Sequence, residues 1–365
     1  MSPDRARLTI DLDALAHNRA VLADISGAAE VAAVVKADGY GLGVGPIARR
    51  LHDEGTRSFF VARLAEGEAL RAELRGRDAA VYVLDGLIPG TADRLAASRL
   101  TPVIATVPQA DAALAQAVAA QALGGRYAAA IQVDSGMNRQ GLSFEEARAF
   151  IASPGALDAL DIPLVMSHLG SATEPREQRN RDQLARFREL RALFPEARAS
   201  LAASAGAFLG AEYSHDMVRA GVSLFGGGPE ERPDPRLRAV ATLTAPVLDI
   251  RNLQPGDRVG YGAAFTAQKP MRVAIVGAGY ADGVIRAAMG KGYAWAASGR
   301  RRLLTVNMDL LAIDIGGAAI DIGDHVELLG PNVPLDDLAS AAGTVAHEVL
   351  VRLSPRAERI YLGAA

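Results

Sequence analysis

Lys36 stands where the apolar run 31–35 meets a glycine-rich turn, in AVVKADGYGLG (33–43). An ammonium is almost never left in a dry interior without a partner. A lysine at the end of a buried strand therefore points into a mouth lined by other polar groups. Partial desolvation there lowers its pKa. A lysine so tuned can act as a base or form a Schiff base with a carbonyl. Other apolar runs end in polar groups too. Asp134 and Arg139 follow AAIQV, His168 ends IPLVMSH, Ser204 follows ASLAA, and Arg219 lies in MVRAGVSL just before Gly221. Each has an ordinary structural reading beside the chemical one. Lysines at strand ends often only reach solvent, turns such as GYGLGVG often only turn, and histidines are as often scaffold as catalyst. The six histidines include no HExxH or other metal spacing, so no metal site is expected.

The elements that position these residues follow from hydrophobic periodicity. Strands are predicted near 31–36, 58–62, 79–84, 101–105, 129–133, 162–168, 199–203 and 217–224. Segments such as PIARRLHDEG and AEGEALRAELRG lie between them, with apolar residues at helical spacing. Near-continuous apolar strands alternating with helices predict parallel strands covered by helices. Eight of them predict a closed (β/α)8, TIM-like barrel; an open doubly wound sheet is the alternative. Active sites in such barrels form where the strands end. After GGGPEERPDPRLR (226–238) the texture turns to strand and turn, with QPGD and DIGD as turns and PLDDLASAA as one short helix. The expected division is an α/β barrel over 1–232 and a mostly β C-terminal domain over 233–365. RLTIDL (7–12) is a strand with no slot in the barrel, available to pair with the second domain.

Composition excludes several classes. The chain has 365 residues, half of them hydrophobic, a net charge of −3 and no cysteine. Disulfide frameworks, thiolate metal sites and cysteine nucleophiles are thereby ruled out. No basic stripe suggests nucleic acid. The stretch MSPDRARLTIDLDALAHN carries charges early and no apolar h-region, so no signal peptide is expected. No run approaches the ~18 apolar residues of a membrane span. A soluble, cytoplasmic protein is expected.

With these motifs in hand, the chain resembles the alanine racemases, two-domain enzymes that use pyridoxal 5'-phosphate (PLP). AVVKADGYG looks like their cofactor-lysine motif. VDSGMNRQG, MSHLGSA, ASAGAF, RAGVSLFG, VGYGAAFTA, VGAGYADG and VNMDLLAID follow in the family's order. The resemblance implies an isomerase that interconverts L- and D-alanine, for D-alanine biosynthesis and peptidoglycan supply or for D-alanine breakdown, working as a homodimer with shared active sites.

It also implies roles. Lys36 would carry PLP covalently. Tyr40, Ser204 and the backbone at Gly221 and Val222 would hold the phosphate. Arg219 would face the pyridine nitrogen, with His168 fixing its orientation. An arginine keeps its proton, so the ring nitrogen stays an unprotonated acceptor. Enzymes with an Asp partner have a protonated ring, a stronger electron sink. The weaker sink favours prompt reprotonation at Cα, hence racemisation over transamination. Lys36 would serve one face of Cα, and Tyr261 of the partner subunit the other. A phenol with an ordinary pKa near about 10 must have it lowered for that task. Met308 would offer its backbone N–H to the substrate carboxylate alongside Arg139.

Several positions depart from the family's pattern. Gln132 stands where a lysine, often carbamylated, is common, and can bond Arg139 without a negative charge. Ser200 replaces a frequent histidine expected to bond the catalytic tyrosine. Ala203 replaces an asparagine, Asn307 a small residue, Ala220 a proline, and Pro355 a tyrosine at the pocket's inner gate. These changes keep open a broader racemase acting on serine or larger amino acids. A PLP-binding protein without turnover is a third reading, against which Tyr261 and the second domain argue. A PLP decarboxylase is a fourth, against which Arg219 argues.

Overall fold

The computed structural model describes residues 5–153 and 156–363. Eight short strands form one parallel sheet: β1 (Glu30–Val34), β2 (Ser58–Val61), β3 (Ala80–Val83), β4 (Thr101–Ile104), β5 (Ala130–Gln132), β6 (Leu164–Met166), β7 (Arg198–Ser200) and β8 (Met217–Ala220). They pair in the order 7-6-5-4-3-2-1-8. The two ends meet: Asp216 N–H donates to the Ala199 carbonyl and Arg219 N–H to that of Ala202, both at 3.0 Å. Ala203 and Arg219 form a parallel bridge. The sheet is thus a closed barrel, and the open-sheet alternative falls away.

The barrel interior is filled rather than hollow. Ala32, Phe60, Tyr82, Val103, Ala130, Leu164, Met166 and Met217 form one buried cluster drawn from seven of the eight strands. Small residues on β1 and β5 leave room for the Phe60 and Tyr82 rings, which stack with centroids 4.7 Å apart. The covering helices form for local reasons. Val107–Ala122 buries Ala110, Ala113 and Ala117 at helical spacing. Phe144–Ile151 opens on a reciprocal cap between Ser143 and Glu146. One prediction is corrected in a useful way. The apolar stretch 217–224 stops being strand at Ala220, and Val222–Phe225 forms a 3-10 turn. Gly221 and Val222 therefore sit at the start of a helical turn.

By contact density the chain divides into two units. One comprises residues 19–39 and 47–224; the other comprises the chain up to Asn18, residues 40–46 and 225 onward. The second unit is built on an eight-stranded sheet. Its 13-residue strand Ala241–Leu253 changes register twice, which lets it pair with both His325–Leu329 and Met271–Val276. Arg7–Asp11 lies in this sheet, antiparallel to Ala241–Leu253 and parallel to Glu358–Leu362. The QPGD and DIGD turns are closed by their aspartates, Asp257 accepting from Gln254 N–H and Asp324 from Asp321 N–H. Two helices follow rather than the one predicted: Leu335–Ala342, and also Ala346–Val351. No helix among the described residues is long and apolar enough to cross a membrane.

Candidate active site

β1 ends at Val34, and Val35 N–H still bonds the Phe60 carbonyl of β2 at 2.9 Å. The chain then reverses hand. Ala37, Asp38, Gly39 and Tyr40 all have φ between 53° and 63°. The turn is closed by Gly39 N–H donating to the Val35 carbonyl at 2.9 Å. Only one of the four is glycine. Each of the other three costs about 1–2 kcal/mol in this conformation. A turn that costly persists only when its surroundings hold it. Ala37 N–H donates to Glu66 Oε1 at 2.9 Å. The other oxygen of Glu66 accepts from Ala62 N–H at 2.8 Å and Arg63 N–H at 3.2 Å, just past the end of β2. The Lys36 ammonium is partly buried. Desolvation holds its pKa below the usual lysine range, the charge of Arg139 pushes the same way, and Glu66 opposes both.

Arg219, on β8, is buried, and the acceptors that meet its two Nη groups are neutral. Nη1 donates to the Ser200 carbonyl at 2.8 Å and to Ser200 Oγ at 2.7 Å. Nη2 reaches the Ser167 carbonyl at 2.5 Å, His168 Nδ1 at 3.3 Å and the Leu201 carbonyl at 3.4 Å. The Ser200 hydroxyl spends its own proton on the Met217 carbonyl at 2.6 Å, so its lone pairs are left for the arginine. Ser200 thus serves Arg219. Burial lowers the Arg219 pKa to about 10, still cationic at neutral pH.

Ser204 opens the short helix Ser204–Ala207 and Gly221 precedes the turn at Val222. The buried Ser204 Oγ accepts from Gly221 N–H at 2.8 Å and Ser223 N–H at 3.2 Å. Both lone pairs are used, so what the hydroxyl has left to offer is its proton, the half of it that an anion accepts. Two helical starts converging on one hydroxyl make a site that favours negative charge. Arg139 rides on the loop after β5. Asp134 Oδ1 accepts from the N–H groups of Gly136, Met137 and Asn138 at 2.8, 2.9 and 3.1 Å. Gln132 Nε2 donates to the Gln140 carbonyl at 3.1 Å, so it steadies the backbone beside Arg139.

The remaining predicted site residues belong to the second unit. Tyr40 is buried against Phe225, ring centroids 4.8 Å apart, and burial pushes its pKa far up, leaving a neutral hydroxyl. Tyr261 starts a 3-10 turn and is 86% exposed. Met308 is also exposed, at the tip between Gly299–Val306 and Leu311–Asp314. Its carbonyl accepts from Ala281 N–H, and that of Asn307 accepts from Tyr280 N–H, both at 3.0 Å. Arg356 joins the two loops, bonding Asp309 at 2.5 Å and pairing with buried Asp282 at 3.4 Å. Pro355 lies exposed in the preceding turn. Tyr361 is committed elsewhere, its hydroxyl donating to the Leu42 carbonyl at 2.8 Å.

Lys36, Arg139, His168, Ser204, Arg219, Gly221 and Val222 thus share the barrel unit. Glu66, Ser167 and Ser223 were not predicted. Glu66 has a partial sequence signal, an acid three residues into a helix that follows a strand. Its partner at Ala37 lies 29 residues away, and no local pattern marks it. Among the described residues no group of three His, Cys, Asp or Glu side chains is arranged as metal ligands would be.

Two family models cover the chain almost end to end. "Alanine racemase, N-terminal domain" matches residues 10–229, and "Alanine racemase, C-terminal domain" matches 240–361. The chain belongs to the alanine racemase family. An alanine racemase of Methylobacterium sp. (strain 4-46) is 41% identical over 365 residues, covering 99% of each chain. A catabolic alanine racemase of Agrobacterium fabrum (strain C58 / ATCC 33970) is 40% identical, covering 97% of this chain and 92% of its own. The crystal structure of alanine racemase from Bartonella henselae with covalently bound pyridoxal phosphate matches with a TM-score of 0.91 and 32% identity, over 98% of this chain and 99% of that one. The alanine racemase family is PLP-dependent. The barrel unit offers what that cofactor needs: a partly desolvated lysine, an anion cradle and a buried cation with neutral acceptors only.

Proposed function

We propose that this chain interconverts L- and D-alanine with PLP held on Lys36. The observation that carries the reading is Arg219, a fully buried guanidinium with no carboxylate among its bonded partners. When bound, PLP acidifies the Cα–H of an amino acid attached to it. Arg219 would then face the ring nitrogen. With a pKa near 10 it gives that nitrogen a hydrogen bond and keeps the proton. His168 and Ser200 fix its fork. The Ser204 hydroxyl, which the Gly221 N–H orients, the Val222 N–H and the Tyr40 hydroxyl would hold the phosphate.

Lys36 moves a proton at one face of Cα, and the lowering of its pKa by desolvation and Arg139 suits that task. Tyr261 of the partner subunit serves the other face. Supporting this is its exposure: within its own chain Tyr261 is 86% open to solvent, unlike a base seated in a finished site. The working protein is therefore a homodimer with two shared sites. Arg139 and the Met308 N–H bind the substrate carboxylate. The equilibrium between enantiomers is even by symmetry, so one site serves D-alanine supply for peptidoglycan and D-alanine breakdown alike. A cytoplasmic location fits either use.

A second reading is favoured by Pro355, which lies exposed in a turn and brings no bulk to a gate. Asn307 adds a donor and acceptor beside Met308. A pocket lacking a steric stop rejects one extra group by only ~1–3 kcal/mol. Serine turnover beside alanine, with alanine preferred, is the expected outcome. Assaying racemisation of the common L-amino acids tests the main reading; no alanine turnover refutes it. Comparing kcat/KM for alanine and serine in wild type and Pro355→Tyr tests the second. Undetectable serine turnover, or an unchanged ratio, refutes the open gate.

A further inference from the structure

The turn that carries Lys36 needs an external support. Ala37, Asp38 and Tyr40 hold left-handed conformations that L-residues with a Cβ avoid. The internal bond that closes the turn, Gly39 N–H to the Val35 carbonyl, also closes an ordinary right-handed turn, so it does not choose the hand. The Ala37 N–H is aimed out of the turn, and Glu66 Oε1 receives it at 2.9 Å. Glu66 does not hang free: its second oxygen is fixed on the N–H groups of Ala62 and Arg63, past the end of β2. One carboxylate thus bolts the residue after Lys36 to the neighbouring strand end.

The geometry points to Glu66 as a positioning residue that holds the left-handed turn and so aims the Lys36 amine into the barrel mouth. This rests on the reading that Lys36 is the cofactor lysine. Glu66 touches neither substrate nor cofactor in this account. Its carboxylate is also a negative charge acting on the Lys36 ammonium, against desolvation and Arg139. Its removal would therefore leave the amine more often neutral, which by itself favours attack on an aldehyde. A loss of reactivity on removal must then come from lost aim.

The test uses apoprotein and PLP itself. Apoprotein is mixed with PLP, samples are reduced with borohydride at intervals, and the fixed label is located by peptide mapping. Wild type should label at Lys36. Glu66→Ala should label there about tenfold more slowly or worse, the cost of one lost charge-assisted bond at a strained turn. Adding Ala37→Gly, which removes the penalty of a Cβ at positive φ, should recover much of the rate. Glu66 also caps the helix Leu64–Glu73 through Arg63 N–H, but a pure capping role predicts no recovery, because residue 37 takes no part in that cap. Glu66→Gln, which retains one acceptor oxygen, should be slowed less than Glu66→Ala. It carries the same rescue test if Glu66→Ala does not fold. Labelling of the wild type at another lysine overturns the cofactor reading and this inference with it. Labelling at Lys36 that is unaffected by Glu66 substitution, or slowed without rescue by Ala37→Gly, overturns this inference alone.

Discussion

The properties asked of Lys36 and Arg219 are opposite, and burial supplies both. On the proposed reading Lys36 exchanges a proton at Cα, so the lowering of its pKa by desolvation and by Arg139 matters. Arg219, on the same reading, keeps its own proton, and burial lowers its pKa only to about 10. The depressed lysine has a consequence for apoprotein stability. Between its folded pKa and the ordinary value of about 10.4, the unfolded chain binds more protons than the folded one, so stability rises with pH across that window. Lys36→Met removes the effect. The Lys36→Met apoprotein should therefore melt above wild type at neutral pH, with the gap narrowing as pH is raised towards 10. A gap independent of pH would show that Lys36 is not depressed. Both residues were legible in the sequence because strand ends of a barrel are where polar groups do chemistry. Ser200 was read as a lost histidine and is instead the acceptor for Arg219, 19 residues along the chain. Such pairings depend on which strands adjoin, and periodicity does not report that.

At the scale of elements, the turn after β1 was legible as a turn but not as a left-handed one. Its glycines drew attention, whereas the conformation is carried largely by Ala37, Asp38 and Tyr40. Nothing in their side chains announces positive φ; tertiary bonds impose it. The helix Ala346–Val351 escaped notice because VAHEVLV is short and rich in β-branched residues. The loop after β5 is the clearer case, since Asp134 heads the recognisable DSGMNRQG. One oxygen gathers three consecutive N–H groups and sets the path to Arg139. Asp134→Ala leaves these donors to water and frees the loop. The expected cost is about 1–3 kcal/mol of stability and roughly a tenfold rise in KM for alanine, with kcat changed less. A KM equal to wild type would show that the loop does not hold Arg139 for substrate.

For the whole molecule, eight strands with alternating helices were enough to predict the barrel, and closure between β7 and β8 decides it against an open sheet. Strand Arg7–Asp11 is separated by more than 200 residues from its antiparallel partner. A segment ahead of the barrel thus joins the eight-stranded sheet of the unit that also contains Tyr261. What a single chain does not offer is a seated second base, and this is where the proposed shared site is most exposed to test. Lys36→Ala and Tyr261→Phe proteins, each inactive alone, are mixed under conditions of subunit exchange, and alanine racemisation is measured. With sites built from Lys36 of one subunit and Tyr261 of the other, each mixed dimer holds one intact site and one with both lesions. About half the dimers are mixed at equal input, so activity should return to at most about a quarter of wild type. If each site were built within one chain, no intact site could form, and a mixture as inactive as its parents would contradict the account.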